Sequence, residues 1–366
     1  MSEIELAGID GANPLGFLTA LGTLRVADRL FPGVRLSWRA KGSWRPVIYA
    51  DAELSQDGIA TAVRDVLHLD FDRDAEQALT AARKVLQKEH KKLKDRRQEV
   101  DTEIRRQKVK PRERRRLLEE RLTVEREAEA IARAQEAECR RRAYPRPDLA
   151  VEKNLNMTAS EFRTVAAGIV AATPRAGRDP ADFLAAFGVE VEERGKVRVT
   201  QFRFVNGGKH QDFLPSYLEL AARATPDHYR RALFEPWDYR DEGSTFRWDP
   251  SEDRRYALRW SNPSSTPAGS MWGANHLAFE ALPMFPCIPT SRGPATTSWQ
   301  GDAFVWPIWR PSIPMNVVAS LLAHPLLRAR PSDRQRLVPL GIEEVYSARR
   351  IPVGKGVCNF SWGEAV

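Results

Sequence analysis

Seventy consecutive residues, 74 to 143, constrain the fold more than any other stretch: they hold no glycine and a single proline, Pro111. Lys, Arg, Glu, Gln, Ala and Leu dominate there, residues that lose little rotamer freedom in a helix, so the stretch predicts a long exposed helical element. Leu79, Leu86, Leu93 and Val100 recur at sevens, and after Pro111 so do Leu117, Val124 and Ile131, which is the spacing of a thin coiled-coil seam. Pro111 suits the first turn of a second helix, where its missing N–H would have no partner anyway. The economical arrangement is an antiparallel helical hairpin with arms of roughly 45 to 50 Å at 1.5 Å per residue. Its tip falls near Gln107 to Arg112.

Charge is concentrated toward that tip. Between Lys91 and Arg121 there are 14 basic and 7 acidic residues, and Arg105, Arg106, Lys108, Lys110, Arg112, Arg114, Arg115 and Arg116 crowd together. A solvated helix face accounts for alternating charges, whereas a cluster of one sign fits contacts to phosphate groups. The whole chain carries a net charge of +8, a surplus that most often serves polyanions, with solubility as the plainer alternative.

Residues 1–73 and 144–366 predict a mixed body into which the hairpin is inserted, giving an α+β fold class. Asn13 and Pro14 read as the N-cap and first turn of an apolar helix carrying Leu15, Leu18, Leu21 and Leu24. Gly16 and Gly22 inside that helix cost roughly 1 kcal/mol each relative to alanine, so a close neighbour is expected. Two strands follow between Val34 and Asp51, parted at Gly42-Ser43. Helices are expected at 160–172, 180–187, 273–282 and 314–322, and a strand at 197–204. The Trp- and Pro-rich last third otherwise reads as loops and short elements. The N-terminal MSEIELAGID lacks the basic and apolar regions of a signal peptide, and no stretch approaches 18 apolar residues. A cytoplasmic protein with no membrane partner is the expectation. Cys139, Cys287 and Cys358 are far apart and read as reduced.

No catalytic kit is legible. H-E-x-x-H, G-x-S-x-G and G-x-x-x-x-G-K-[ST] are absent, and His68, His90, His210, His228, His276 and His324 are scattered. Asp238, Asp241, Glu242, Asp249, Glu252 and Asp253 are interleaved with arginines and tryptophans and read as salt-bridged loop residues rather than metal ligands. The expectation is a protein without catalytic residues, metal or cofactor. The candidate binding residues lie elsewhere. After Phe202-Arg203-Phe204-Val205 comes Asn206-Gly207-Gly208-Lys209-His210-Gln211, and Phe213-Leu214 then opens an apolar helix. Two glycines at such a junction let backbone N–H groups approach a phosphate or base edge, with Asn206, Lys209, His210 and Gln211 adding donors. A plain turn with a polar cap is the alternative. Arg254 and Arg255 beside Tyr256, and Arg349, Arg350 and Lys355 near the C-terminus, are weaker basic clusters suited to stacking on bases and holding phosphates, with ordinary surface cation–π packing as an equal alternative.

Several phrases together carry a resemblance. Asn13-Pro14-Leu15-Gly16-Phe17-Leu18-Thr19-Ala20-Leu21-Gly22, the loop Asn206 to Leu214, Phe304-Val305-Trp306-Pro307-Ile308-Trp309, Ser347-Ala348-Arg349-Arg350 and Gly354-Lys355-Gly356 resemble large-subunit-type proteins of type I-U (I-G) CRISPR systems. The similarity covers the first 50 residues or so and pieces of 200 to 360; the hairpin departs from it. The resemblance implies a non-catalytic subunit of a Cascade-like complex, partnered by guide RNA, target DNA and the other subunits. Such a subunit recognises the short motif beside a DNA target, helps open the duplex and presents it to a helicase-nuclease recruited in trans. Asn206, Lys209 and Gln211 would then read base edges, and the hairpin arginines would touch phosphates. Two other readings remain: a coiled-coil adaptor for proteins, and a nuclease using scattered carboxylates with metal ions.

Overall fold

A computed structural model describes residues 2–366 except 71, 108, 145, 147, 150, 194, 208–210, 253–268, 291–292 and 329–330. The chain is α+β and forms two compact units: one from Met1–Leu69 with Glu152–Val366, the body, and one from Asp70–Val151.

The body begins with β1 (Ser2–Glu5), α1 (Pro14–Leu30), β2 (Arg35–Lys41), β3 (Ser43–Ala50) and α2 (Gln56–Leu67). Asn13 caps α1 as expected, its Oδ1 accepting from the N–H groups of Leu15 at 2.8 Å and Gly16 at 3.3 Å. The turn between β2 and β3 is Gly42, with φ of +72°, a conformation that favours glycine.

The helical unit contains α3 (Arg73–Arg106), α4 (Pro111–Arg121) and α5 (Thr123–Ala143). Cross-helix ion pairs Glu103–Arg121, Arg96–Glu125, His90–Glu129 and Arg83–Glu136 run in opposite directions along α3 and the α4–α5 arm, so the arms are antiparallel. Val100, Ile104 and Leu122 form a small buried cluster, with Leu93, Leu117 and Leu118 packed on it. The seam expected on the second arm is different from the one observed. Val124 and Ile131 are 75% and 62% exposed, and Ala132, Glu136 and Ala143 are buried instead. The cause is a break at Leu122 (φ −109°, ψ 9°), which separates α4 from α5 and resets the helical phase, so sevens counted across it do not continue.

The body resumes with α6 (Ala159–Ala176), α7 (Asp179–Phe187), β4 (Gly188–Glu193), β5 (Lys196–Val199), α8 (Phe213–Arg223), α9 (Pro226–Phe234), β6 (Asp241–Glu242), β7 (Gly269–Ser270) and α10 (Trp272–Glu280). It ends with β8 (Cys287–Thr290), β9 (Gly293–Thr296), β10 (Trp299–Gln300), β11 (Ala303–Trp309), β12 (Ile313–Pro314), α11 (Met315–Leu322), β13 (Ile342–Gly354), β14 (Val357–Phe360) and β15 (Glu364–Ala365). The strand expected at 197–204 stops at Val199; Phe202 and Phe204 are both buried without regular pairing.

Two antiparallel sheets organise the core, one in the order β1-β3-β2-β12 and one in the order β10-β11-β13-β14 with β15 also on β13. Phe17 of α1 joins them, stacking on Trp38 of β2 (5.7 Å) and lying within 6.3 Å of Trp306 and Trp309 of β11. The last third of the chain thus supplies the long strands β11 and β13 to the core, where short elements around a core were expected. Trp306 and Trp309 are fully buried because their indole N–H groups reach Gly11 O and Leu36 O, each at 2.9 Å. Pro307 and Pro352 sit inside β11 and β13, and each removes a ladder donor, which is why the sequence pattern did not read as long strands.

Helices α1 and α10 approach closely. A Cβ on Gly22 would stand 1.7 Å from Leu277 O, and one on Gly16 would stand 2.2 Å from Asp10 O, so both glycines have the close neighbours expected of them. Arg25, buried in the same interface, donates to Glu280 and to Asp179, both at 2.7 Å, and Tyr217 Oη donates to Glu280 at 2.9 Å. Among the described residues no helix is long and apolar enough to cross a membrane.

Candidate nucleic-acid interface

The loop singled out from sequence is built onto the tip of the β13–β14 hairpin. Gly356 closes that hairpin with φ of +70°, leaving Lys355 exposed at the turn. The segment 204–206 runs along β14: Cys358 N–H donates to Phe204 O, Val205 bridges Val357, and Asn206 N–H donates to Gly356 O. The loop is closed at its base by Gly207 N–H, which donates to Gln211 O at 2.8 Å, with Gly207 at φ +71°. Asn206, Gly207, Gln211 and Lys355 thus belong to one place. Gly208, Lys209 and His210 lie outside the described residues, as do Arg254, Arg255 and Tyr256.

The two amides are in unlike situations. Asn206 is exposed, and its Oδ1 accepts from Asn156 Nδ2 at 3.1 Å. Gln211 is tied inward, its Oε1 accepting from Arg247 Nε at 2.7 Å, and Arg247 is buried at φ +61°. Past the loop, Asp212 accepts from Lys153 Nζ (2.8 Å) and from Asn154 Nδ2 (2.6 Å). Asn154, itself buried, accepts from Phe213 N–H at 2.9 Å, which pins the start of α8.

Arg349 and Arg350 are neighbours in sequence but occupy opposite faces of β13. Arg349 is exposed. Arg350 lies over the Phe204 ring at 5.3 Å, and its Nη2 is 3.5 Å from Arg203 O. Arg203 is the residue that sequence reasoning missed. Its Nη1 donates to Asn154 O at 2.5 Å and Asn156 Oδ1 at 2.9 Å, and it lines a cavity of about 610 Å³ together with Arg350, Lys196 and Arg198. Burial, and after it the charge of Arg350, pushes the Arg203 guanidinium down to about 10, against a partial offset from Glu152.

On the helical unit, Arg114 pairs with Asp101 at 2.5 Å and Arg116 with Glu120 at 3.5 Å, while Arg112 and Arg115 are exposed with no carboxylate partner among the described residues. Arg114 and Arg115 line a groove of about 690 Å³ between α3 and the α4–α5 arm, with Lys94, Arg97, Arg105 and Arg126. Among the described residues its lining has two carboxylates, Asp101 and Glu119, against six cations, of which Arg105 and Arg114 pair with Asp101. Hydrogen bonds from Arg114 hold Asp101 below the usual carboxylate range.

Four of the six acidic residues flagged in sequence are held by the body, while Glu242 is exposed and Asp253 lies outside the described residues. Asp238 and Asp241 accept from Arg231 at 2.9 and 2.5 Å, buried Asp249 accepts from Asn13 and Tyr239, and buried Glu252 accepts from Thr245. No family model matches this chain, and no curated protein sequence matches it.

Proposed function

We propose that the chain is a non-catalytic nucleic-acid-binding protein that acts as a subunit of an RNA-guided CRISPR interference complex. The observation that carries nucleic-acid binding is the groove of six cations and two carboxylates between α3 and the α4–α5 arm. Held on helices, such a lining presents an excess of positive charge to a polyanion, and counterion release supplies the affinity. The body adds exposed Asn206 and Lys355 on paired loops, suited to a groove edge and a phosphate respectively. The resemblance of the N-terminal helix and of the 206–214 loop narrows the reading to a Cascade-like subunit that recognises the motif flanking a DNA target.

Binding of labelled single- and double-stranded oligonucleotides, followed by anisotropy between about 50 and 200 mM salt, tests the first part. Affinity falls steeply with salt, and replacing Arg112 and Arg115 with alanine lowers the log–log slope by about two contacts. No binding to any oligonucleotide at low salt, alone or in the assembled complex, ends this reading. Metal-dependent cleavage by the pure protein would replace it with the nuclease. The complex is tested by co-expression with the products of adjoining genes: guide RNA and Cascade-type subunits co-purify, and Asn206→Ala flattens discrimination among flanking motifs.

A second reading has its own observation. Val124 and Ile131 are exposed seven residues apart on α5, an unpartnered apolar pair at heptad spacing. An adaptor role for the hairpin predicts that Val124→Lys with Ile131→Lys abolishes complex assembly while oligonucleotide binding persists.

A further inference from the structure

Buried Arg25 is neutralised by Glu280 and Asp179, and buried Arg231 by Asp227, Asp238 and Asp241, whereas buried Arg247 bonds the amide oxygens of Gln211 and Asn359. Arg203 and Arg350 differ from all three in lining one cavity together. Among the described residues neither has a carboxylate within ion-pair distance; their polar contacts are the Asn154 and Arg203 carbonyls and the Asn156 amide oxygen, and Arg350 adds the Phe204 ring. Burial and, after it, the charge of Arg350 lower the proton affinity of Arg203 against a partial offset from Glu152, so the two guanidinium groups repel each other. Both face the same cavity, about 610 Å³ in volume, whose lining adds Lys196 and Arg198 and, among the described residues, a single carboxylate, Asp302. That volume falls in the range of roughly 300–1,000 Å³ found for small-ligand sites.

Guanidinium groups are planar forks that match phosphate oxygens in pairs, and an anion between two of them removes their repulsion as it binds. We propose that this cavity is a phosphate-group site, in which Arg203 and Arg350 grip one phosphate while Lys196 draws it in from the rim. The phosphate is either that of a free nucleotide or one phosphodiester of a bound strand. The second source rests on the nucleic-acid reading above; the first does not. Arg203 is fixed by its bonds to Asn154 and Asn156, so the site is organised before the ligand arrives, and the same asparagines hold the start of α8 and the Asn206 side chain. A phosphate held here would therefore lie against Asn156, whose amide bonds the Asn206 side chain.

The test uses the full chain and three probes: inorganic phosphate, uridine monophosphate and a ten-nucleotide single strand, each against chloride of equal ionic strength. Thermal denaturation and titration calorimetry give the half-saturation. At least one probe raises the melting temperature saturably, as a ligand specific for the folded state must. Arg350→Gln weakens that half-saturation tenfold or more, Lys196→Glu weakens it in the same direction, and Arg310→Gln, outside the cavity, leaves it unchanged. Lys196 is exposed on β5, so its variant decides the matter if Arg350→Gln fails to fold. Phosphate and nucleotide binding without strand binding upholds the cavity and removes the nucleic-acid reading. Strand binding unaffected by Arg350→Gln and Lys196→Glu does the reverse. A wild-type chain that responds to none of the three probes overturns the site.

Discussion

Adding one methyl group at Gly22 separates two effects of glycine in a helix. In isolation, Gly→Ala in a helix interior stabilises by about 1 kcal/mol, because alanine loses less backbone freedom. At Gly22 the new Cβ would lie 1.7 Å from Leu277 O of α10, whereas an ordinary carbon–oxygen contact is about 3.3 Å. Helices α1 and α10 would have to part by on the order of 1.5 Å, and the obstacle is a main-chain carbonyl with no rotamer to change. Overpacking of this kind costs about 1–3 kcal/mol or more, and a rigid obstacle puts it at the upper end, so the net loss is about 2 kcal/mol. For a body of this size, 1 kcal/mol moves the midpoint by roughly 2 °C, which gives a fall of about 4 °C. Gly168 in α6 is the matched control, since a Cβ there meets nothing within 4 Å. Gly168→Ala raises the midpoint by about 1–2 °C. Circular dichroism melts and urea titrations of both variants decide the matter. Gly22→Ala at or above wild-type stability, or both substitutions moving the midpoint the same way, would refute the packing argument.

Further expectations follow from individual contacts. His228 is held below its ordinary value of 6.5 by burial, against the pull of Asp241, and its Nδ1 accepts from Thr225 N–H. Below 6.5 the unfolded chain takes up a proton that the folded chain resists, so stability falls as pH drops through that window, and His228→Asn flattens the fall in denaturation midpoints measured from pH 7.5 to 5. The body residues on either side of the helical unit, Leu69 and Lys153, are both tied to α8, through Leu69 N–H to Ala221 O and Leu214 N–H to Lys153 O. Those α8 positions are seven residues apart, or about 10 Å. A short Gly-Ser linker replacing 72–147 therefore leaves the body folding cooperatively, and loss of a sigmoidal urea transition would show otherwise. Gln211→Ala removes an acceptor from buried Arg247 and lowers stability by about 1–2 kcal/mol in urea titration, while Asn206→Ala leaves stability within about 0.5 kcal/mol.

The elements legible in the sequence were those set by local chemistry. Asn13-Pro14 dictated the start of α1 through capping, Pro111 began α4, Gly42 turned β2 into β3, and the glycine-free composition of 74–143 dictated helix. The close neighbour of Gly22 was legible as a requirement, because a helical glycine has a cost that only packing offsets; that the neighbour is Leu277 of α10 was not. Tertiary structure decided what depends on partners far along the chain. The face buried on α5 follows from the break at Leu122 and from ion pairs with α3, so Val124 and Ile131 fell on the exposed side despite their spacing. Strands β11 and β13 pair across some forty residues and contain prolines, which local pattern reads as loop. The candidate site divides in the same way. A Gly-Gly loop among polar residues was visible at 206–211, since glycine and amides report backbone and hydrogen-bonding needs by themselves. The pairing of Arg203 with Arg350 was not, because the meeting of two cations from positions 147 residues apart is set by how β14 docks on 204–206, and no local pattern encodes that distance.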